Sequence, residues 1–423
     1  MRPRSLPAWT TGVYDGWSRS ADRLGVELVS RARTGLEIAQ RDPPGPSGRS
    51  QPVACHLVRI AFHVPRAEYL GEGTSGDYVM VRNMMSGLEE RGHDVRIVST
   101  LSARAFWQGQ VPARRLVGEA IRVRKQTKLF APDAWLVYGS APRNPDLFGW
   151  WQRPTRYVLM QASASKAHDV AWPWRKLFNF AQRRALSRAD KITVMGPKVV
   201  DELKGLGADP AKLSVLTVAT EVWDEVPQQE ARRRLDLPQD TPIVLCLSRL
   251  TGPRRDGRPY KTEYVLALIE AFGRAQLPRE TLLIVVGDGK GRATVEGKVS
   301  ELGLESRVRL TGSVPHGDVR WYYSACDFLA YPILRDQPYI AFLEAQACGR
   351  PVLTTLRRSS AELVQDGRTG YLARNLDEFT AQLAKLAGDR RLCSEMGRAG
   401  RDYVLASHSI DVRVRQYEDL VVT

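Results

Sequence analysis

Cysteine is scarce in this sequence, and the residues present fit no known pairing pattern. The five copies stand singly, without any Cys-x-x-Cys pair: Cys55, Cys246, Cys326, Cys348 and Cys393. Scattered cysteines in odd number, several of them in apolar segments, are typical of small core residues in a reducing compartment. We therefore expect neither a disulfide framework nor a zinc site.

Long apolar runs are lacking as well. No stretch reaches the length of about eighteen residues that a membrane-spanning helix needs. Arg2 and Arg4 are not followed by the apolar core of a secretory signal. These absences predict a cytoplasmic protein.

Negative charge is the third shortage. The chain has 62 Lys and Arg against 47 Asp and Glu, a formal net charge of +15. Such a balance favours an anionic partner: nucleic acid, an anionic membrane surface or a phosphorylated substrate. Charge alone does not choose among these, and a solvated basic surface is an equal interpretation.

What the chain does contain is two series of strands alternating with helices, one from His56–Phe62 onward and one from Pro242–Leu247 onward. This rhythm predicts parallel sheets with right-handed crossovers. The fold class is therefore α/β, with two facing Rossmann-like domains and a cleft between them. Ligands of such sheets bind at the carboxyl ends of the strands.

Domain limits follow from composition. Residues 1–54 are expected to be an extension with an amphipathic helix (Ser18–Gln40) and a Pro/Gly linker (Asp42–Gly48). The first domain is expected at 55–235 and the second at 236–405. The last segment, 406–423, is expected to be a helix that returns to the first domain.

A Gly-x-Gly-x-x-Gly pattern at Gly71–Gly76 matches the dinucleotide fingerprint only superficially. About eight residues separate it from its strand, and Ser99 and Thr100 follow the next strand where an acid should bind the ribose. A nicotinamide or flavin enzyme is therefore not expected. The loop still suits a close approach of backbone to phosphate.

Two cations stand at strand and helix ends in the second series. Arg249 follows an apolar strand, and Lys261 precedes a helix. A forked donor and a compact cation together suit a diphosphate. The intervening Arg254, Arg255 and Arg258 are interpreted as a solvated basic loop.

Two acids follow in the same series. Asp336 lies in a loop after a strand, and Glu344 lies within the next helix, which begins near Ile340. Two helical turns rise about 11 Å, roughly the distance from a transferred sugar to a nucleotide ribose. The amides at the helix start would face a diphosphate. The turn at Gly287 and Asp288 is a weaker signal.

At this point the chain resembles the family 4 glycosyltransferases, which are retaining enzymes of the GT-B fold. The resemblance spans about 365 of the 423 residues and is strongest over Ile243–Leu372. Its motifs include Ser-Arg-Leu after the first strand, Ile-Val-Val-Gly-Asp-Gly, Tyr-Tyr-Ser-Ala-Cys-Asp and Leu-Glu-Ala-Gln-Ala-Cys-Gly-Arg-Pro-Val. In the N-terminal half, Ser75-Gly76 matches the family's Gly-Gly loop.

The resemblance implies roles for individual residues. Arg249 and Lys261 would bind the donor diphosphate and stabilise the leaving nucleotide, and Glu344 would hold the ribose hydroxyls. Asp336 would contact the donor sugar, and Gly76 would let backbone approach the phosphates. Catalysis is thus assigned to Asp336, Arg249 and Lys261. The remaining residues are donor-binding: Gly76, Gly287, Asp288, Ile340 and Glu344. No metal and no cofactor are implied beyond the nucleotide-diphosphate sugar as co-substrate.

The chain departs from the family's pattern at the acids and at the expected histidine. The first acid of the Glu-x7-Glu motif is Asp336, and Pro338-Tyr339 stands where Phe-Gly is frequent. Where many members carry a histidine after an N-domain strand, the chain reads Leu159-Met160-Gln161. Lys261 also stands about two residues off the usual spacing.

The predicted function is transfer of a sugar, with retention, from a nucleotide-diphosphate donor to a hydroxyl acceptor in glycan biosynthesis. Basic and aromatic residues interleave in Trp172–Phe180, which makes a lipid-linked acceptor at the inner membrane face a hypothesis. An inward-packed helix is the alternative interpretation. A catalytically degenerate nucleotide-sugar-binding protein is the alternative function. Nucleic-acid binding rests on charge alone and is not expected.

Overall fold

The computed structural model describes residues 57–65, 76–139, 144–152, 154–163, 172–252, 261–336 and 339–422. The chain divides into two compact units. The N-terminal unit comprises Ser50–Thr220 together with Ser407–Thr423, and the C-terminal unit contains Glu221–Ala406. The proposed helix Ser18–Gln40, the linker and the glycine loop before Gly76 lie outside the described residues.

In the N-terminal unit, short strands alternate with helices. The strands are β1 (Arg59–His63), β2 (Asp94–Ser99), β3 (Ala134–Tyr138), β4 (Arg156–Met160), β5 (Lys191–Val194) and β6 (Leu213–Val215). The helices are α1 (Gly76–Glu90), α2 (Ala103–Trp107), α3 (Ala113–Phe130), α4 (Gly149–Gln152), α5 (Trp172–Arg188) and α6 (Pro197–Gly205). The described strands form one parallel sheet in the order β2-β1-β3-β4-β5-β6.

This sheet is apolar on both faces because helices cover both. Successive residues of β3 enter opposite cores, Trp135 one cluster and Leu136 the other. The last helix of the chain, Ile410–Val422, packs into the second cluster through Val414 and Tyr417. Gly87 of α1 makes this approach feasible, because a Cβ there would lie 2.6 Å from Val414.

In the C-terminal unit the same alternation recurs. The strands are β7 (Ile243–Leu247), β8 (Leu282–Val286), β9 (Val308–Gly312), β10 (Phe328–Tyr331), β11 (Val352–Thr355) and β12 (Gly370–Ala373). The helices are α7 (Gln228–Arg234), α8 (Lys261–Arg274), α9 (Arg292–Glu301), α10 (His316–Ala325), α11 (Ile340–Ala347), α12 (Arg358–Ala361), α13 (Leu376–Gly388) and α14 (Arg390–Ser407). Ile410–Val422, in the N-terminal unit, is α15.

Strand order fixes where each sheet can hold a ligand. The C-terminal sheet is parallel, in the order β12-β11-β10-β7-β8-β9, so the chain reverses its direction of travel between β7 and β10. The N-terminal sheet reverses between β1 and β3. Ligands of open α/β sheets bind at the carboxyl ends of the strands beside such a switch point.

The boundary between the two domains lies before helix α7 in the structure, whereas the sequence composition placed it after this helix. Helix α7 therefore belongs to the C-terminal unit and not to the end of the first domain. Arg232 of α7 forms a buried ion pair with Asp327 at 2.9 Å and donates to the Ala325 carbonyl at 2.9 Å. These bonds tie α7 to the end of α10, and no local sequence pattern announces them.

Several elements were not predicted from the sequence. Strands β6 and β12 are short, and the long helix α3 was noted only as a basic stretch. Among the residues that the structure describes, no helix combines the length and the apolarity that crossing a membrane requires. Within the described part of the chain, the four cysteines are free thiols, and three of these are buried: Cys246, Cys326 and Cys393, with Cys348 at intermediate exposure.

Candidate functional site

The switch point of the C-terminal sheet carries the first predicted cation. Arg249 lies two residues after β7 and is exposed. The neighbouring Ser248 hydroxyl forms a 2.9 Å hydrogen bond with the Tyr331 hydroxyl at the end of β10. The ends of β7 and β10 are therefore joined directly beneath Arg249.

The loops after β7 and β8 are held together by backbone hydrogen bonds. Ser248 donates to Val286 at 2.9 Å, and Leu250 donates to the Asp288 carbonyl at 3.0 Å. Gly287 has φ +131°, and a Cβ there would lie 1.9 Å from the Ser248 carbonyl oxygen. Only glycine fits this contact. Gly287 thus shapes the loop that presents Arg249.

Asp288 is partnered within its own turn. Its carboxylate accepts from the Gly289 amide at 2.7 Å and lies 3.8 Å from the Arg292 guanidinium. The structure therefore places Asp288 at the site's edge, where it holds the turn in shape. A role in donor binding stays a prediction for this residue.

Lys261 lies beside Arg249, although a basic loop of the sequence separates them. It is the first residue of α8, and its amide donates to the Thr251 hydroxyl at 3.1 Å. Its ammonium lies 5.4 Å from the centre of the Tyr339 ring. Burial lowers the pKa of Lys261, and the charge of Arg249 lowers it further. Two cations that repel one another are held together here. Arg254, Arg255 and Arg258 lie outside the described residues.

Helix α11 begins at this site. Its N-cap residue is Tyr339, which makes no side-chain capping bond, and its first helical residue is the half-buried Ile340. The first amides of an α-helix have no intrahelical partner. Tyr339 packs edge-to-face on Tyr331, with ring centres 5.1 Å apart, and this contact fixes where the helix starts. The amides at the start of α11 are thus left available to an anion.

Glu344 projects from the second turn of α11. Its carboxylate accepts a 2.7 Å hydrogen bond from the Tyr323 hydroxyl of α10. Burial raises the pKa of Glu344, and the bond from Tyr323 opposes that rise. Trp223 stacks on the Tyr323 ring at 6.3 Å and contacts His316. Tyr323 was not identified from the sequence because an aromatic residue on a helix ordinarily indicates a core, and Trp223, in the loop before α7, was not identified either.

Asp336, the other predicted acid, is exposed and takes part in a different set of contacts. Its Oδ1 accepts from the amide of Ser359, in the first turn of α12, at 2.8 Å. The negative charge of Asp336 acts to raise the pKa of Arg357 and the pKa of Glu362. Burial raises the pKa of Glu362 to about 7, and the charge of Asp336 adds to the rise.

Arg357 is the most informative residue that the sequence did not reveal. It follows β11 as Arg249 follows β7, so the rule that selected Arg249 also applies to it. It is only 6% exposed, and burial lowers its pKa, whereas the charge of Asp336 raises it. Its guanidinium donates to the Leu356 carbonyl at 2.9 Å.

The N-terminal unit presents a different picture at its own switch point. His63 at the end of β1 and Asp146 after β3 are both fully buried, with Nδ1 and Oδ1 2.8 Å apart. The Tyr157 hydroxyl donates to Asp146 Oδ2 at 2.7 Å, and two backbone amides also donate to this carboxylate. Although burial opposes it, the His63 hydrogen bond holds the pKa of Asp146 below its usual range. The side chains of His63, Asp146 and Tyr157 are therefore hydrogen-bonded inside the protein.

Two further predictions concern the N-terminal unit. Gly76 is the first residue of α1, and the loop it was expected to end lies outside the described residues. Gln161 occupies the position where a family histidine was looked for. It is buried and has φ +48°, a conformation that costs energy for a residue with a side chain. Its amide donates to the Thr193 hydroxyl at 3.0 Å.

Comparison with known proteins agrees with this arrangement. A family model described as "Glycosyl transferases group 1" matches residues 241–389, and one described as "Glycosyl transferase 4-like domain" matches residues 75–219. Sucrose-phosphate synthase from Thermosynechococcus elongatus superposes with a TM-score of 0.61 at 18% identity, covering 86% of this chain and 99% of that one. This likeness concerns the fold.

Two curated relatives extend the match along the chain. A GDP-mannose-dependent alpha-(1-6)-phosphatidylinositol monomannoside mannosyltransferase of Mycolicibacterium smegmatis is 28% identical over 57% of this chain. The match covers 65% of that relative, slightly less than two thirds of its length. A D-inositol 3-phosphate glycosyltransferase of Mycobacterium bovis is 25% identical over 78% of this chain and 75% of that protein.

The two parallel sheets and these matches define a glycosyltransferase with the GT-B type of fold. More specifically, the chain belongs to the glycosyl transferases of group 1, the family that the sequence motifs resembled. The predicted fold class is confirmed for both six-stranded sheets.

Proposed function

We propose that this chain transfers a sugar from a nucleotide-diphosphate donor to a hydroxyl acceptor with retention of configuration. One observation carries the proposal: within the described residues, Arg249 and Lys261 are near enough for the charge of Arg249 to lower the pKa of the buried Lys261, and neither cation forms an ion pair. Bringing like charges together without a carboxylate costs energy, which a bound diphosphate would offset. The open start of α11 lies beside them.

The acids complete the donor site in this proposal. Glu344, fixed by Tyr323, accepts hydrogen bonds from the ribose hydroxyls, and Asp336 contacts the donor sugar. The cation pair supplies the positive charge that the departing diphosphate needs, so transfer proceeds without a bound metal. The printed activity of one relative, GDP-mannose-dependent transfer, supports a nucleotide-diphosphate donor.

The proposed reaction is a front-face displacement. The bond between the anomeric carbon and the diphosphate oxygen breaks, and the acceptor oxygen bonds to the same face of that carbon. The acceptor proton passes to the departing phosphate oxygen. Arg249 and Lys261 stabilise the charge that develops on this oxygen, which is the interaction that grows toward the transition state.

Calorimetry with UDP-, GDP- and ADP-sugars tests the donor site, repeated on Arg249→Ala and Glu344→Ala. We expect one nucleotide to bind wild type and to lose affinity in both variants, and transfer to persist in EDTA. Arg274→Ala, on the exposed surface of α8, is the control. Donor binding without transfer to any acceptor would favour the degenerate-enzyme alternative. No binding by any donor would refute the proposal.

We further propose that the N-terminal unit attaches to an anionic membrane surface that holds the acceptor. Helix α3 exposes Val117, Ile121 and Leu129, at 59%, 54% and 89%. Exposed cations flank them: Arg114, Arg115, Arg124, Lys125 and Lys128. Exposed apolar side chains flanked by cations are the surface arrangement that binds anionic lipid. The phosphatidylinositol-linked acceptor in one relative's name agrees with this.

Helix α5 offers a second such face. Leu177 and Phe180 are 47% and 53% exposed, beside the exposed Lys176, Arg183 and Arg184. Phe180 also contacts the Trp150 ring edge-to-face, with ring centres 6.1 Å apart, so the alternative of an inward-packed helix stays open for this side chain. The side chains of residues 172–175 lie outside the described set.

Flotation with vesicles of phosphatidylglycerol and of phosphatidylcholine tests the attachment. Wild type should float only with the anionic vesicles, and less so in high salt. Val117→Glu with Ile121→Glu reports on α3, and Leu177→Glu with Phe180→Glu reports on α5. Flotation that neither pair weakens, or no flotation at all, would refute membrane attachment by these faces.

A further inference from the structure

Arg357 is a buried cation that, among the described residues, makes no direct ion pair, although the charge of Asp336 acts on it. It is 94% buried, and within the described residues no carboxylate lies within ion-pair distance of it. The comparably buried Arg232 shows what full compensation looks like, with Asp327 at 2.9 Å and four backbone carbonyls as acceptors. Among the residues that the structure describes, the Arg357 guanidinium donates to the Leu356 carbonyl alone. An uncompensated buried guanidinium is costly unless a ligand supplies the missing anion.

Hydrogen bonds hold the backbone around Arg357 in place. The Arg357 amide donates to the Ser360 hydroxyl at 2.8 Å, and that hydroxyl donates to the Thr355 carbonyl at 2.7 Å. The amide of Ser359, in the first turn of α12 next to Arg357, donates to Asp336 at 2.8 Å. Arg357 is therefore held in place beside the acid that the family motif assigns to the donor sugar.

The surroundings of Arg357 differ from those of the diphosphate cations. The charge of Arg249 lowers the pKa of Lys261, whereas the charged group that acts on Arg357 is Asp336. Burial raises the pKa of Tyr264, and the charge of Arg357 opposes that rise. Arg335 also acts on Tyr264. The site thus has two cationic groups, one formed by Arg249 and Lys261 and one around the Tyr264 ring.

We propose that Arg357 binds a carboxylate on the donor sugar, so that the transferred sugar is a uronic acid. A diphosphate is already served by Arg249 and Lys261, which leaves the second cationic group for another anion. A forked guanidinium matches a carboxylate with two parallel hydrogen bonds. Asp336 has one oxygen bound to Ser359 and keeps the other for a sugar hydroxyl. This inference rests on the proposed function, since it names the substrate class of the same donor site.

Matched pairs of donors test the proposal on the full-length protein: UDP-glucose with UDP-glucuronic acid, and GDP-mannose with GDP-mannuronic acid. Wild type should bind and hydrolyse or transfer the uronic-acid member at least tenfold better. Arg357→Gln should weaken the uronic-acid donor by about 10- to 100-fold and the neutral donor by less than about twofold. Arg357→Lys should restore part of the loss, because it keeps the charge without the fork.

Each other outcome overturns the inference. If wild type prefers a neutral donor, the uronic-acid assignment is wrong and the proposed transferase stands. If Arg357→Gln weakens both members equally, Arg357 acts on the diphosphate or on Asp336. If no nucleotide sugar binds, the proposed function fails as well. Thermal unfolding of both variants checks that they fold, and Arg398→Gln on α14 is the control for loss of one positive charge.

Discussion

The two sheets of this protein treat their switch points in opposite ways. In the N-terminal sheet, His63, Asp146 and Tyr157 satisfy one another and are sealed from solvent. In the C-terminal sheet, Arg249 and Lys261 lie side by side with no carboxylate in reach among the described residues. In the first arrangement the polar groups are hydrogen-bonded to one another and stabilise the fold. In the second, the two cations are without ion-pair partners, which is the arrangement expected of a binding site.

This difference separates structural from functional polar groups. A buried ion pair that is fully hydrogen-bonded fixes a loop, and removing one partner leaves the other unpaired. Uncompensated cations at strand ends contribute little to folding, since they repel one another. The electrostatic balance of each switch point is therefore the reason we propose the C-terminal sheet, and not the N-terminal one, as the donor site.

The largest expected effect is on stability, at the closed switch point. Asp146→Ala would leave His63, Tyr157 and two amides without their acceptor and should lower the free energy of unfolding by about 3–5 kcal/mol. Urea denaturation measures this. Asp201→Ala, an exposed residue in a weak pair, should change it by less than about 0.5 kcal/mol. If Asp146→Ala were as stable as wild type, the contrast between a structural and a functional switch point would not hold.

At the open switch point the expected effect is on catalysis. Arg249→Ala should lower kcat by about 10²- to 10³-fold, as the loss of one transition-state donor does. Its free energy of unfolding should stay within about 0.5 kcal/mol of wild type. A transferase assay and urea denaturation together decide this. A large loss of stability would mean that Arg249 is structural after all.

A smaller effect is expected where an aromatic hydroxyl positions an acid. Tyr323→Phe removes the 2.7 Å hydrogen bond to Glu344 while it keeps the ring on Trp223. Loss of one charge-assisted bond should raise KM for the donor about tenfold and leave kcat within about twofold. Tyr322→Phe, on the same helix, is the matched control. An unchanged KM would show that Glu344 does not depend on Tyr323.

The smallest effect concerns pH. Burial raises the pKa of Glu362 from 4.5 to about 7. Between these values the folded protein holds a proton that the unfolded chain has lost, so stability falls as pH rises and levels off above about 7. Glu362→Gln should remove this fall in the free energy of unfolding. We expect the fall to be only about 1 kcal/mol, because Glu362 is partly exposed and solvent screens its charge. Parallel stability–pH curves for the two proteins would contradict this.

Much of the site was predictable because strand ends are recognisable in sequence. β3 and β10 lie at Ala134–Tyr138 and Phe328–Tyr331, the ranges that apolar patterning predicts. Residues directly after such strands, Arg249 among them, could be selected by the rule that ligands bind at carboxyl ends. Asp336 and Glu344 could be paired from helical spacing and the family's motif.

The rest of the site depends on contacts between distant segments. Tyr323 lies 21 residues before Glu344, and only the packing of α10 beside α11 brings the hydroxyl to the carboxylate. Arg357 satisfied the strand-end rule, yet its lack of a direct ion pair among the described residues is visible only in three dimensions. The same holds for α7, whose buried arginine finds its partner 95 residues away.

The sequence by itself determined the fold class and the family, because local apolar period and ordered motifs encode them. The tertiary structure decided which polar groups are satisfied and which remain free to bind. Charge balance at a site depends on distances between residues far apart in the chain, and no local pattern fixes those distances. His63 ends a buried strand and Arg357 follows one, but packing bonds His63 directly to a carboxylate and leaves Arg357 without a direct ion pair among the described residues.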